Sequence, residues 1–246
     1  RPYIDFVFPN AVPAGSKTKV QVYGRNLPGG KPSDQVVAGN KLEMVEVTID
    51  APPADKSGQL DVENYVPASG SWIDGFSYRL ASPQGSSNPV LIGFATAPVV
   101  LEQEPNNPAD QAQKVTLPCE FVGRFQKPRD ADYVQFDAKQ GESYWIEVFS
   151  QRYGIPTDPY LLLQRVQTND KGEVQVSDVR EIDDSAVNVG GLAFNTSADD
   201  PSYAFTVPAD GTYRLLIRDL YYSGDPRFVY RVAIRPAQPD FRLVAI

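Results

Sequence analysis

Polar and apolar residues alternate along much of the chain with the two-residue period of a strand that buries one face. Lys19-Val-Gln-Val-Tyr23 and Met44-Val-Glu-Val-Thr-Ile49 show it in the first half. Tyr144-Trp-Ile-Glu-Val-Phe149, Thr212-Tyr-Arg-Leu-Leu-Ile217 and Phe228-Val-Tyr-Arg-Val-Ala-Ile234 are β-branched or aromatic runs of strand length in the second. No stretch sustains the apolar period of about 3.6 residues that marks an amphipathic helix. Turn residues punctuate the runs at Pro13-Ala-Gly15, Pro28-Gly-Gly30, Gly85-Ser-Ser-Asn-Pro89, Lys139-Gln-Gly141 and Ala209-Asp-Gly211. Short strands between regular turns predict β-sandwiches or barrels.

Pro89 to Phe94 reads as the closing strand of a first unit, and the polar stretch Glu102-Gln-Glu-Pro-Asn-Asn107 follows it. We therefore expect an all-β chain of two β-sandwich domains in tandem, immunoglobulin-like over residues 1–97 and jelly-roll-like over 98–236. Residues 237–246 read as a linker and the start of a following module. Arg1 opens directly into a strand-like segment without a leader, so both ends are expected to belong to a longer chain. No run approaches the roughly 20 apolar residues of a membrane span, and no membrane insertion is expected.

Composition narrows the chemistry. Hydrophobic residues make up 41% and charged residues 22% of the 246, an ordinary globular balance. A net charge of −8 argues against nucleic acid as a partner and suits hard cations. There is no histidine, which removes Ser-His-Asp and Cys-His catalysis and His-ligated zinc. Cys119 is the only cysteine, so no intrachain disulfide forms, and it reads as a small buried hydrophobe. Neither a nucleophile elbow nor a phosphate-binding loop is present. The carboxylate pairs Glu102/Glu104 and Asp130/Asp132 lack the apolar cleft context that tunes a catalytic acid, so the chain is expected not to be an enzyme.

The acidic opening of the second unit is the best candidate for chemistry. Glu102 and Glu104 are two apart, so an extended segment projects both to one side, and Asn106 continues the row. Asp130 or Asp132, at the start of Arg129-Asp-Ala-Asp-Tyr-Val-Gln-Phe136, then closes a shell of oxygens of the kind calcium takes. The competing reading is a solvated linker ending in an Asn106-Asn107 turn. Asp158, Asp183, Asp184, Asp199 and Asp200 form a second acidic group, read as solvated loop tips. Trp72, within Ser69-Gly-Ser-Trp-Ile-Asp-Gly75, and Tyr153, Tyr160, Tyr221 and Tyr222, in or beside turns, are candidate contacts to a sugar or protein face. Packing over a sandwich edge is the alternative for each. Tyr144, Tyr213 and Tyr230 lie within strands and are assigned to the core.

The order Glu102-Gln-Glu-Pro-Asn-Asn107, Asp130-Ala-Asp-Tyr133 and Asp210-Gly-Thr-Tyr213 resembles the bacterial pre-peptidase C-terminal family over residues 101–236. That resemblance implies a non-catalytic jelly-roll-like sandwich of the kind found beside secreted peptidases. The collagen-binding domains of clostridial collagenases are relatives that bind calcium at this segment. By that likeness Glu102, Glu104, Asn106, Asn107 and Asp132 fall on ligand positions, and Tyr133 on one offering its backbone carbonyl. The chain departs from the pattern where Arg129 replaces a further acid, with Asp130 one position off, and near Arg124; two basic residues there predict weaker calcium binding. Gly24-Arg-Asn-Leu27 resembles the turn of IPT/TIG domains, over about the first 94 residues. Glu147-Val-Phe-Ser-Gln-Arg152 and Arg218-Asp-Leu-Tyr-Tyr-Ser-Gly224 resemble versions in modular proteins of planctomycete-type bacteria. The expectation is an accessory segment of a secreted or cell-surface protein that binds extracellular polysaccharide or protein, or positions neighbouring domains of the same chain. A carbohydrate-binding module and a ligand-free spacer are the rivals.

Overall fold

The computed structural model describes residues 1–59, 62–63 and 66–239. The expected module start at 240–246 lies outside the described residues. The chain is all-β, with two β-sandwiches in tandem. The first is built from β1 (Tyr3–Phe8), β2 (Ala11–Pro13), β3 (Lys17–Arg25), β4 (Lys31–Val37), β5 (Asn40–Asp50), β6 (Gly75–Tyr78) and β7 (Val90–Ala95). Its sheets run β1-β3-β5-β4 and β2-β7-β6. The second contains β8 (Val99–Leu101), β9 (Gln113–Lys114), β10 (Cys119–Arg124), β11 (Ala131–Ala138), β12 (Ser143–Phe149), β13 (Pro159–Thr168), β14 (Val174–Ile182), β15 (Ser202–Thr206), β16 (Gly211–Asp219) and β17 (Val229–Pro236). Its sheets run β15-β12-β17-β10-β8 and β14-β13-β16-β11-β9. No helix among the described residues is long and apolar enough to cross a membrane.

Alternation places the core. Along β11, Asp132, Val134, Phe136 and Ala138 point inward while the intervening residues do not. Phe121, Phe125, Ile146, Leu161, Leu215, Tyr213, Tyr230 and Val232 fill the space between the two five-stranded sheets. Tyr213 and Tyr230 are fully buried, and Tyr144 packs half-buried against the same cluster. Tyr213 also explains its own turn: its hydroxyl donates to the Ala209 carbonyl at 2.7 Å, tying Ala209-Asp-Gly211 to the strand that follows. Cys119 is buried, and desolvation pushes its thiol up to about 12, so it behaves as a hydrophobe. In the first sandwich Ile4, Val20, Val22, Ile49, Ile92 and Phe94 form the core. Gly24 lies hard against the Tyr3 carbonyl, where a Cβ has no room, and Asn26 takes a positive φ of 53°, so Gly-x-Asn is required locally.

The two sandwiches share a packed junction. Just before the polar stretch that opens at Glu102 lies β8, which pairs in parallel with β10. Phe6, Phe8, Tyr23, Leu42 and Met44 meet Val99, Val122, Ile155 and Val229 across the junction. The Arg124 guanidinium lies 5.6, 5.1 and 5.9 Å from the ring centres of Phe6, Phe8 and Tyr23. Deeper in, buried Arg231 donates through Nη1 to Glu120 Oε2 at 2.8 Å and to the Phe94 carbonyl at 3.0 Å. Glu120 Oε1 accepts the N–H groups of Thr96 and Ala97 at 2.6 and 3.3 Å. Removing one partner of such a pair strands a buried charge. Arg231→Met is therefore expected to lose about 3 kcal/mol in denaturant unfolding, and Glu120→Leu added to it to recover part of that loss. A single-variant loss below about 1 kcal/mol would contradict a junction held by this pair.

Candidate metal centre

Backbone ladders on two sides hold the acidic segment after β8. The Glu102 N–H donates to the Val122 carbonyl of β10 at 2.9 Å, and the Tyr133 N–H of β11 donates to the Asn106 carbonyl at 3.0 Å. The segment thus bridges the two sheets of the second sandwich. Glu102 Oε2 accepts the Arg124 N–H at 3.2 Å, and Glu104 Oε2 accepts the Asn106 N–H at 3.1 Å. Glu102, Glu104 and Asp132 each bring one carboxylate oxygen to a common point, all within 4.8 Å of one another.

Several polar atoms here are buried without a hydrogen-bond partner, apart from the bond that the Glu102 and Asp132 carboxyls make with each other when one holds a proton. They are Glu102 Oε1, Asp132 Oδ1, Asn107 Oδ1, and both amide atoms of Asn106. Buried polar groups are nearly always hydrogen-bonded, so two such atoms on the converging carboxylates and three on the adjoining Asn106 and Asn107 mark a segment suited to a further partner. Four of these atoms are oxygens, and with the Glu104 carboxylate they are the hard donors that calcium takes.

Asp130 and Asp132 divide their roles. Asp130 Oδ2 accepts the Gln126 N–H at 2.7 Å and Oδ1 accepts from Asn107 Nδ2 at 3.3 Å, so Asp130 closes a turn and orients Asn107. Asp132 faces Glu102 and Glu104, and its Oδ2 accepts the Tyr230 hydroxyl at 2.6 Å. Tyr133 contributes its N–H to Asn106. The basic neighbours are placed otherwise than the spacing suggests. Arg124 gives its N–H to Glu102 but turns its guanidinium onto the aromatic rings of the first sandwich, near Gln35 and Gln126. It still favours the ionised form of Glu102. Arg129 is exposed, with a positive φ of 68°.

Burial pushes the Glu102 carboxyl up to about 7; the hydrogen bond with Asp132 opposes the shift and the Glu104 charge adds to it. Burial, then the Glu102 charge, raises Asp132 well above the carboxylate range. The two carboxyls titrate as a pair.

The second acidic group separates. Asp158, Asp183 and Asp184 bring carboxylate oxygens within 4.8 Å, with Asp183, Asp184 and Asp199 exposed. Burial, and then those neighbours' charges, raise Asp158 to about 6. Asp200 is a correction to the reading of the group as solvated. It is fully buried and accepts the N–H groups of Ser150, Gln151 and Arg152 and the Arg152 Nε. The sequence shows no signal for this, because the acceptor lies some fifty positions from its donors.

The candidate aromatics also differ among themselves. Tyr221 and Tyr222 are exposed, and Tyr160 and Tyr222 flank the Arg218 guanidinium at 4.2 and 4.4 Å. Tyr153 is a correction: its hydroxyl is buried beside Gly93, in space that only a residue without a Cβ leaves, so it faces the junction rather than a ligand. Trp72 is half-buried at the end of the short turn Ala68–Trp72.

No protein-family model matches the sequence, and no curated protein matches it. Solved structures with a similar course include the pre-peptidase C-terminal domain of a collagenase from Bacillus anthracis, at 13% identity and a TM-score of 0.35, covering 55% of this chain and 100% of that one. A periplasmic inhibitor of g-type lysozyme from Salmonella Typhimurium overlaps at 17% identity and a TM-score of 0.28, covering 57% and 98%. A carbohydrate-binding module of the β-sandwich superfamily overlaps at 13% identity and a TM-score of 0.27, covering 96% and 98%. Each likeness is distant, and the fold stands on the sheets described above.

The raised Glu102 carboxyl contributes to the pH response of the metal-free protein. A folded-state value of about 7 against an ordinary 4.5 contributes stability below about pH 4.5 that is lost as pH rises through 7. In chelator, the melting temperature is expected to fall across that window in wild type and to fall less in Glu102→Gln. Equal slopes in the two proteins would contradict the assignment.

Proposed function

We propose that the chain is a non-catalytic binding segment of a secreted or cell-surface protein, and that its pre-peptidase C-terminal-like second sandwich is stabilised by calcium. Glu102, Glu104, Asn106, Asn107 and Asp132 would hold the ion, with Asp130 orienting Asn107. The observation that carries this reading is the convergence of three carboxylates, two with a buried unpartnered oxygen, beside Asn106 and Asn107, whose side-chain oxygens are also unpartnered. The ion supplies the positive charge that lets Glu102 and Asp132 ionise together. It also ties the segment after β8 to β11, next to the residue whose guanidinium packs on the first sandwich. Calcium here therefore stiffens the junction, and the pair of sandwiches presents a fixed surface to an extracellular polymer or partner protein. The absence of histidine and the engagement of the buried acids in structural pairs favour binding over catalysis. The Gly24-Arg-Asn-Leu27 turn supports an IPT/TIG-like first sandwich.

A ligand present at about 100 times its dissociation constant stabilises the folded state by about 2.7 kcal/mol. For a chain of this length that amounts to a melting-temperature rise of about 5 °C or more in calcium over chelator. Asp132→Asn keeps an acceptor for the Tyr230 hydroxyl and is expected to fold and to lose the response. Identical wild-type melting curves in calcium and in chelator would overturn the calcium reading.

A further inference from the structure

A cavity of about 820 Å³ opens where the two sandwiches meet, and both tryptophans of the chain line it. We propose that this cleft binds a segment of a neutral oligosaccharide, with sugar rings laid against Trp145 and Trp72. The inference rests on the reading of the chain as a binder of extracellular polymer and names the site and the ligand class.

Trp145 shares the outer face of β12 with Glu147, while Tyr144, Ile146 and Val148 point toward the core. Its cross-strand partners are Arg235 on β17 and Ala204 on β15. The indole is held edge-on: Nε1 donates to Glu147 Oε2 at 3.1 Å. The same oxygen accepts from Arg235 Nη2 at 2.7 Å, and Glu147 Oε1 accepts from Arg152 Nη1 at 2.9 Å. Arg152 is anchored in turn by Asp200 and lies 4.3 Å from the Phe149 ring centre. Apolar residues of the same volume stabilise a fold at least as well as a buried ion cluster of this kind. What the cluster adds is orientation, because it sets the indole and the Arg235 guanidinium at fixed angles in the cleft wall.

Trp72 enters from the first sandwich. Its turn docks on Gln151–Tyr153, where a Cβ on Gly70 would lie 2.9 Å from the Arg152 carbonyl, so Gly70 lets the turn seat. Thr96, Ser185 and Ser202 add hydroxyls to the walls. Two acids, Glu147 and Asp200, are balanced by two arginines, Arg152 and Arg235, which leaves the cleft without net charge. That balance disfavours polyanions and polycations. A volume in the range of about 300–1,000 Å³, apolar ring faces and a few oriented polar groups suit a ligand with a C–H face and a hydroxyl rim. A neutral sugar has both.

The test is titration of the full chain, in calcium, with cello-, xylo-, manno- and chito-oligosaccharides, read by tryptophan emission, together with affinity electrophoresis on the parent polysaccharides and on gelatin. The expected result is saturable binding of one of these saccharides, weakened at least tenfold in Trp145→Ala and in Trp72→Ala. Trp145→Phe should retain part of the affinity, and unchanged calcium-dependent melting should show that the variants fold. Retention of wild type on a polysaccharide with equal retention of both alanine variants overturns the cleft and leaves polymer binding standing. Retention on gelatin alone overturns the sugar and leaves a protein-binding segment. No emission change and no retention on any of these overturns both readings.

Discussion

Glu102, Glu104 and Asp132, half-buried, exposed and buried in turn, bring their carboxylates together, and such a group needs a counter-charge. Their oxygens lie within 4.8 Å of one another, where two unit charges repel by about 3 kcal/mol or more at the effective dielectric of a protein site. Without a cation, the structure meets this by keeping a proton on the Glu102–Asp132 pair. The surrounding bonds relieve it only in part. Tyr230 donates to Asp132 from the centre of the core, where its ring stacks on Phe125 at 4.6 Å, so the site is tied to the core. Backbone bonds to β10 and β11 prevent the segment from swinging away.

The same strand carries the site to the junction. Arg124 ends β10 with its N–H on Glu102 and its guanidinium on three aromatic rings of the first sandwich. Nearby, the Phe149 ring has Arg152 at 4.3 Å and Arg231 at 4.0 Å, each guanidinium paired with a buried carboxylate. The sandwiches are therefore joined by charged groups that tolerate few alternative arrangements. A relative orientation set in this way is what lets two tryptophans from different sandwiches face one cleft.

β-Branched and aromatic runs found β12, β16 and β17, and alternation was enough to find β3 and β5, because one face of each is buried and the period of two survives in the sequence. It also contained the answer about Asp132, which shares a face with Val134 and Phe136, whereas Asp130 precedes the strand. Arg124 shares a face with Val122, which packs across the junction, so its direction was readable once that face was known to be covered. The roles of Glu147, Arg152, Asp200 and Arg235 were not legible. On the strands, Trp145 and Glu147 occupy positions that alternation assigns to solvent, and other segments wall them into a cleft: the turn ending in Trp72 and the loop carrying Ser185 to Ala198. Local pattern records the pleat of a sheet, not what tertiary packing lays over its outer face. Asp200 looked like one more acid in an acidic loop for the same reason.

Calorimetric titration of the metal-stripped protein with calcium, at about pH 6.5 in buffers of different ionisation enthalpy, tests the central claim most directly. Binding must expel the proton that the Glu102–Asp132 pair holds, so the account predicts one ion per chain and a heat that varies with the buffer. No saturable heat, or a heat that is the same in every buffer, would contradict it.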